Sequence, residues 1–248
     1  MKVLSIAGYH HTGKTTVVVE LLRELNRRGY STATIKDIHA ENFSMDKPGS
    51  NTWKHWEAGG KTVFARGREE TYQIWHRRLE LTEMLAHLST DFVLVEGMKS
   101  AALPRLICAG NEEQLAELVD ETVFGVSGIY ADTHTNYHDL PVISARNEIN
   151  LLADLVESKV FPVLPLAKPE CCSACGMSCR EMTGAILSGK RSRQDCRISG
   201  KTGLTVSVDG RLLTLVPFVN RLLRQVIRAL LGNLEGGKGS RIEIIIDE

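Results

Sequence analysis

The sequence predicts an α/β protein: a mostly parallel sheet with flanking helices, followed by a small C-terminal α+β region that carries a cysteine cluster. Three observations lead there. Short, continuously apolar runs such as Val3–Ala7 read as strands buried on both faces. Segments with helical spacing alternate with those runs through most of the chain. The opening unit is strand, glycine-bounded loop, helix and strand, and two strands joined in that way lie parallel.

In chain order, Lys2–Ala7 is the first strand and Gly8 ends it. Val18, Leu21, Leu22 and Leu25 line one face of a helix over Thr15–Arg28, which Gly29 stops. Thr32–Lys36 is the second strand. Further strands are expected at Thr62–Ala65, Phe92–Val95, Arg105–Ala109 and Val123–Val126, and helices at Leu79–Leu88, Glu112–Leu118 and Asn147–Ser158. The polar stretch Ala40–Thr52 is longer than most strand-to-helix connections, a length common in functional loops. Pro162, Pro165 and Pro169 then interrupt regular structure and mark a boundary. Three parts are expected: residues 1–163, a cysteine module over 164–200, and a tail over 201–248 that packs with it. In the tail, Leu204–Val208 and Leu212–Val216 alternate about Asp209-Gly210, a hairpin signal. Pro217 suits a first helical turn, Phe218–Leu231 carries helical periodicity, and Arg241–Asp247 reads as a last strand.

The 248 residues balance 30 Lys+Arg against 30 Asp+Glu, and 43% are hydrophobic. That composition excludes a disordered chain. Zero net charge removes any overall attraction to nucleic acid or an anionic membrane, so neither is expected as a partner. No apolar run approaches the roughly 18 residues of a membrane span. Val3–Ala7 is too short for the apolar core of a secretion signal, and a cytoplasmic protein is expected. Five of the six cysteines fall between Cys171 and Cys196, which points to a metal or cluster site rather than a disulfide framework.

Gly8-Tyr-His-His-Thr-Gly13-Lys14-Thr15 fits G-x-x-x-x-G-K-[ST] without a mismatch, with a strand before it and a helix after it. The expected fold is therefore of the P-loop NTPase type. In such a loop the backbone amides cradle phosphates, which assigns nucleotide binding to Gly8, His11, Thr12, Gly13, Lys14, Thr15 and Thr16. Lys14 reaches the terminal phosphates and the Thr15 hydroxyl ligates Mg²⁺. Ligands of open α/β sheets sit at the carboxyl ends of the strands. Glu96 follows the strand Phe92–Val95 and so serves Mg²⁺ or its water shell. Asp91 precedes that strand and, at about 3.3 Å per residue, lies roughly 16 Å away, as a strand-edge residue. Asp37 closes the second strand and is a candidate to hold Mg²⁺ through water or to orient a hydrolytic water; with Lys14 and Glu96 it completes the expected catalytic set. His10 lies in the loop beside His11. Trp53, His55 and Trp56 suit packing better than chemistry. Base preference is weakly marked: guanine-reading loops commonly use Asn-Lys-x-Asp, and Asn136-Tyr-His-Asp139 lacks the lysine.

Beyond the loop, the chain carries Arg28-Gly-Tyr-Ser-Thr-Ala-Thr-Ile-Lys36 with His39, Asp46-Lys-Pro-Gly-Ser50, Trp53-Lys-His-Trp-Glu-Ala-Gly59 and Val93-Leu-Val-Glu-Gly-Met-Lys99. With these pieces, residues 1–160 resemble the molybdopterin-guanine dinucleotide biosynthesis protein B (MobB) family. The resemblance implies a dimeric P-loop protein that binds GTP with Mg²⁺. It implies an adapter with weak GTPase activity in molybdenum cofactor biosynthesis, partnering the MobA-type guanylyltransferase that joins GMP to molybdopterin. Two departures stand out. The family's Lys-His-Asp-His-His run reads Lys36-Asp-Ile-His39-Ala40 here, and His10 and His11 stand where the family usually has small residues.

Cys172-x2-Cys175-x3-Cys179-x16-Cys196 offers four thiolates, with Cys171 as a substitute first ligand. Met182, Ile186 and Leu187 suggest a short helix packed over them. Four thiolates suit an iron–sulfur cluster or Zn²⁺. The single C-x2-C pair and the distant last cysteine resemble small [4Fe–4S] domains of redox proteins, although those usually have four residues between the second and third cysteines. Zn²⁺ and plain redox thiols are the alternatives. Cys108, on a strand, reads as a core residue. Arg221, Arg224 and Arg228 form a basic stripe on the tail helix, read as a solvated face. Two rival functions remain: a P-loop kinase acting on a small molecule, and a non-enzymatic iron–sulfur or metal-binding accessory protein.

Overall fold

In a computed structural model of the chain, the residues described are 1–40, 43–166, 175–198, 204, 206–208, 211–213, 217–234 and 244. Five parallel strands form the central sheet: β1 (Lys2–Gly8), β2 (Thr32–Lys36), β5 (Phe92–Glu96), β6 (Arg105–Cys108) and β7 (Val123–Ser127). Their order across the sheet is β2-β5-β1-β6-β7. β1 is central and buried on both faces, which explains why it is mostly apolar. Leu4 and Ile6 join the core under the helices α1 (Lys14–Arg27) and α5 (Ile149–Lys159). Val3 points to the opposite face, where it meets Val93, Val95 and Leu85 of the short helix α3 (Leu81–Ala86). Ala7, Ile107 and Val126 pack on that same side against α4 (Glu112–Leu118) through Leu115 and Leu118.

Most expected elements lie where the pattern puts them. Thr62–Ala65 corresponds to β3 (Val63–Arg66), but it pairs antiparallel with β4 (Thr71–Ile74) in a separate two-stranded ribbon and does not enter the main sheet. Val63 is buried whereas Phe64 is exposed, so this strand has one buried face and no use for a place inside a two-sided sheet. β4 is mostly exposed and polar, which hides it from a hydrophobic pattern. The stretch expected as loop over Ala40–Thr52 runs into the helix α2 (Asn51–Glu57), whose N-cap is Ser50, accepting from the Trp53 N–H at 3.0 Å. A second small ribbon, β8 (Asn136–Tyr137) with β9 (Leu140–Pro141), leads to a parallel bridge between Val126 and Val142 beside β7.

Beyond residue 163, α6 (Cys179–Leu187) begins with a capping box between Ser178 and Glu181. It is docked on the sheet domain. Arg180 and the buried Arg105 both bond the Asp120 carboxylate, and the Thr183 hydroxyl donates to the Ala102 carbonyl at 3.2 Å. Arg193 donates to the carbonyls of Pro162 and Val163 at 2.7 and 3.0 Å. In the tail, β10 (Val206–Val208) pairs antiparallel with β11 (Arg211–Leu213), the expected hairpin, and α7 spans Pro217–Leu231. The Asp209-Gly210 turn and all of the expected strand Arg241–Asp247 except Ile244 lie outside the described residues. Among the described residues no helix is long and apolar enough to cross a membrane.

One polar device ties α1 to α5. Glu24, 5% exposed, accepts two bonds from Arg27 and one from Arg28, each at 2.7 Å. Arg28 in turn holds Asp154 at 2.6 Å and Glu157 at 2.8 Å. The Arg27 and Arg28 donors hold the Glu24 carboxyl down at about 2, from an ordinary value of 4.5. A depressed carboxyl contributes stability above its unfolded-state value and loses it as pH falls toward its folded-state value. Urea midpoints are therefore expected to fall from about pH 4.5 to about pH 2 in the wild type. In Glu24→Gln that fall is shallower and the midpoint at pH 7 is already lower; equal slopes for the two proteins would contradict the assignment.

Candidate functional site

The loop after β1 is shaped by backbone contact. A Cβ on Gly8 would stand 2.0 Å from the Cys108 carbonyl oxygen on β6, so only glycine lets the two strands pair there. The buried Thr12 hydroxyl donates to the Tyr9 carbonyl at 2.9 Å and holds the curl of the loop. Gly13 then leads into α1, and no side chain caps that helix start. The first-turn amides of α1 and its positive dipole end thus face the loop, the arrangement that receives phosphate oxygens. His10 and His11 are both exposed, and His11 has a left-handed backbone with φ of 59°. It is the backbone of His11 that shapes the loop. Thr16 is half-buried on the first turn of α1.

The Lys14 ammonium donates to the Tyr9 carbonyl inside the loop. Burial pushes its pKa down, as do the charges of Lys99 and Lys36, while the Glu96 carboxylate opposes the shift. The Cys108 thiol is itself pushed up to about 12 by complete burial, so it stays neutral and behaves as the expected core residue.

Sheet order decides what surrounds Lys14. β5 lies between β2 and β1, and the register puts Lys36, Glu96 and Ile6 in one line across three strands. The Thr15 hydroxyl donates to Glu96 Oε1 at 3.0 Å, and Lys36 Nζ sits 2.9 Å from the same oxygen. The predicted Mg²⁺ pair, Thr15 and Glu96, is therefore assembled from residues 81 positions apart. Two hard oxygen donors at the mouth of a phosphate loop fit Mg²⁺, which keeps most of its waters. Lys36 is a site residue that pattern reading missed; its signal was its place as the last residue of a strand that ends at the loop. Lys99, 4.3 Å over the Tyr9 ring, is another.

Asp37 follows Lys36, and its N–H donates to the Glu96 carbonyl at 2.9 Å. Its carboxylate pairs with Arg78 at 3.3 Å and His39 at 3.5 Å. Asp91 accepts from the N–H and hydroxyl of Ser31 at the opposite end of the strand, as its position before β5 requires. Trp53 and Trp56 are packing residues: Trp56 stacks on His76 with ring centroids 4.3 Å apart, and Trp53 meets His76 edge-on at 5.0 Å. His76 lies 3.2 Å from the buried Asp46, whose pKa is lowered by the hydroxyl donors Thr52 and Ser50. This cluster fastens the long loop to the β3–β4 ribbon. Asn136 pairs with Pro141 and Tyr137 with Leu140 in the β8–β9 ribbon, so the weak match Asn136–Asp139 lies within that hairpin.

Of the expected thiolate ligands, Cys172 lies outside the described residues, as does Cys171. Cys175, Cys179 and Cys196 border one small apolar cluster with Met182 and Leu164. Cys175 and Cys196 direct their sulfurs at the nearby carbonyls of Met177 and Ile198, at 3.5 and 3.6 Å. Among the described residues no group of three or more His, Cys, Asp or Glu is arranged to hold a metal ion. The four-thiolate set thus remains a sequence expectation.

Comparison with known proteins gives a consistent picture. The family model for molybdopterin guanine dinucleotide synthesis protein B matches residues 3–127, half of the chain. A Methanocaldococcus jannaschii protein assigned as a molybdopterin-guanine dinucleotide biosynthesis adapter is 28% identical over 244 residues, covering 95% of this chain and 93% of its own. The molybdopterin-guanine dinucleotide biosynthesis adapter protein of Haemophilus influenzae is 31% identical over 166 residues, covering 62% of this chain and 87% of its own. Among solved structures, the crystal structure of Bacillus subtilis MobB superposes with a TM-score of 0.54 at 22% identity, covering 66% of this chain and 100% of that one, and so shares the fold. The match spans the sheet, the phosphate loop and the Thr15–Glu96 pair alike, and the chain belongs to the molybdopterin guanine dinucleotide synthesis protein B family.

Proposed function

We propose that this chain is a GTP-binding adapter in molybdenum cofactor biosynthesis, assisting the attachment of GMP to molybdopterin. The observation that carries the reading is the uncapped α1 start behind the phosphate loop, with the Thr15 hydroxyl and the Glu96 carboxylate 3.0 Å apart at its mouth. The names of the Haemophilus influenzae and Methanocaldococcus jannaschii relatives support the adapter role. In this reading the loop from Gly8 to Thr16 binds the phosphates and Lys14 neutralises the terminal ones. Thr15 and Glu96 hold Mg²⁺, which supplies charge neutralisation at the phosphates when bound. Lys36, 2.9 Å from the same Glu96 oxygen, adds a further cation at that end of the site. Asp37, held by Arg78 and His39, acts as an outer acid that orients water, consistent with slow hydrolysis rather than rapid turnover. A homodimer and a MobA-type guanylyltransferase partner belong to the same proposal, as does a cytoplasmic setting. Titration of the full chain with GTP in the presence of Mg²⁺ tests it: Lys14→Ala is expected to weaken binding by at least about tenfold, the worth of one charge-assisted contact. Unchanged affinity would remove the phosphate-loop assignment, and efficient phosphate transfer to a small acceptor would favour a kinase.

We infer that Cys172, Cys175, Cys179 and Cys196 ligate a [4Fe–4S] cluster, with Zn²⁺ as the alternative; the spacing of the four thiols in the sequence supports it. Anaerobically purified protein is expected to contain iron and acid-labile sulfide in equal amounts, which Cys175→Ser diminishes while GTP binding persists. Zinc without sulfide assigns the alternative, and protein free of both metals rules out this part of the reading.

A further inference from the structure

Opposite the Glu96 side of the phosphate loop, a second group of residues converges on the start of α1. Thr15 turns toward β5, whereas Gly13, Thr16 and Val17 border a cleft on the β7 side. The far wall comes from two strand-end segments: Gly128–Asp132 after β7, and Ser144–Arg146 after the Val126–Val142 bridge. The first wall is pressed against the phosphate loop itself. The Ile129 N–H donates to the Thr12 carbonyl at 3.2 Å, and Gly128, at φ +76°, has no room for a Cβ, which would stand 2.2 Å from that carbonyl. One carboxylate lies in this cleft. Asp132 accepts from the Ser144 hydroxyl at 3.0 Å through Oδ1 and from Arg146 at 3.3 Å through Oδ2. Ser144 is 2% exposed, so Oδ1 is held from inside the protein, while the Arg146 side chain is 60% exposed and free to swing out.

We propose that Asp132 reads the base of the bound nucleotide and makes the site selective for guanine. The assignment rests on the nucleotide-binding reading above. Polarity across the sheet supports it: Lys36 and Glu96 mark the terminal-phosphate end on β2 and β5, so the nucleoside extends past α1 toward β7. From β1, which carries the loop, to β7 is two strand spacings, roughly 10 Å. The cleft is narrow, with only about 10 Å³ free to water-sized occupants, far less than a base needs. A base therefore enters by displacing the exposed Arg146 arm, which then covers the ring face. An ionised carboxylate accepts bonds and donates none. Guanine presents two adjacent donors, N1–H and the exocyclic amine, which match the two carboxylate oxygens. Adenine presents the unprotonated N1 there, and two acceptors face each other. A site built around such hydrogen bonds rejects the analogue that lacks them far more strongly than an apolar pocket does.

Competitive titration of the full chain with GTP, ITP, XTP and ATP tests the assignment. The wild type is expected to prefer GTP over ITP, which lacks the amine, and over ATP, each by at least about tenfold. Asp132→Asn exchanges one acceptor for an amide donor, which suits the C2 carbonyl of xanthine. It is expected to lose at least about tenfold in GTP affinity and to gain affinity for XTP. Misfolding cannot produce the gain. Equal binding of GTP and ATP by the wild type overturns the assignment, and so does an Asp132→Asn variant with unchanged GTP affinity or with uniform loss and no gain for XTP. Those outcomes leave phosphate binding in place; failure of the wild type to bind either GTP or ATP removes the underlying reading and this assignment together.

Discussion

The contact on which the rest of the molecule depends is the approach of the phosphate-loop backbone to its neighbours on β6 and β7. Gly8 lies against the Cys108 carbonyl and Gly128 against the Thr12 carbonyl, at separations that admit no side chain. These contacts let β1 run to the carboxyl end of the sheet and turn within five residues into α1. They also bring the β7 end against the loop. Widening either would splay the strands whose ends carry Glu96, Asp37 and Asp132. The apolar packing beneath, with Leu4, Ile6, Leu106 and Leu152 fully buried, makes that backbone arrangement rigid.

Charge is organised locally against a neutral whole. The chain carries 30 cationic and 30 acidic side chains, yet Lys14, Lys36 and Lys99 gather at one loop. Glu96 is shared there between Thr15 and Lys36, one carboxylate among three lysines, so the loop keeps a local excess of positive charge. The same economy appears at a distance from the site. Asp120 joins the buried Arg105 of the sheet to Arg180 of the cysteine-bearing helix, and a single carboxylate thereby couples the two parts of the chain.

Much of this was legible beforehand because it is local. The phosphate loop needs a fixed spacing of glycines, lysine and threonine, and that spacing is contiguous. Four of the five sheet strands are largely buried and read as apolar runs, while β2 is part-exposed and is placed by the strand–loop–helix–strand unit it closes; α2 aside, the major helices announce themselves by spacing. What stayed hidden is polar or paired at long range. β4 is exposed on nearly every residue, so hydrophobicity carries no trace of it, and β3 looked like a member of the main sheet because a four-residue run says nothing about its partner. His76 gave no sign that it stacks on Trp56 and meets Asp46, since the three are brought together by a loop and a ribbon.

The sequence alone determined the loop itself: the glycine spacing that shapes it, and the lysine and the hydroxyl on which the proposed phosphate site rests. It determined the parallel sheet as well, through the strand–loop–helix–strand unit and its apolar runs. Tertiary structure alone decided who faces whom. The order β2-β5-β1-β6-β7 sets Lys36 beside Glu96 and Glu96 beside Thr15, and it puts Asp132 next to Ser144 and Arg146 on the far side of α1. Strand order is fixed by the burial of two faces at once, a property of the whole packed sheet that no single segment contains.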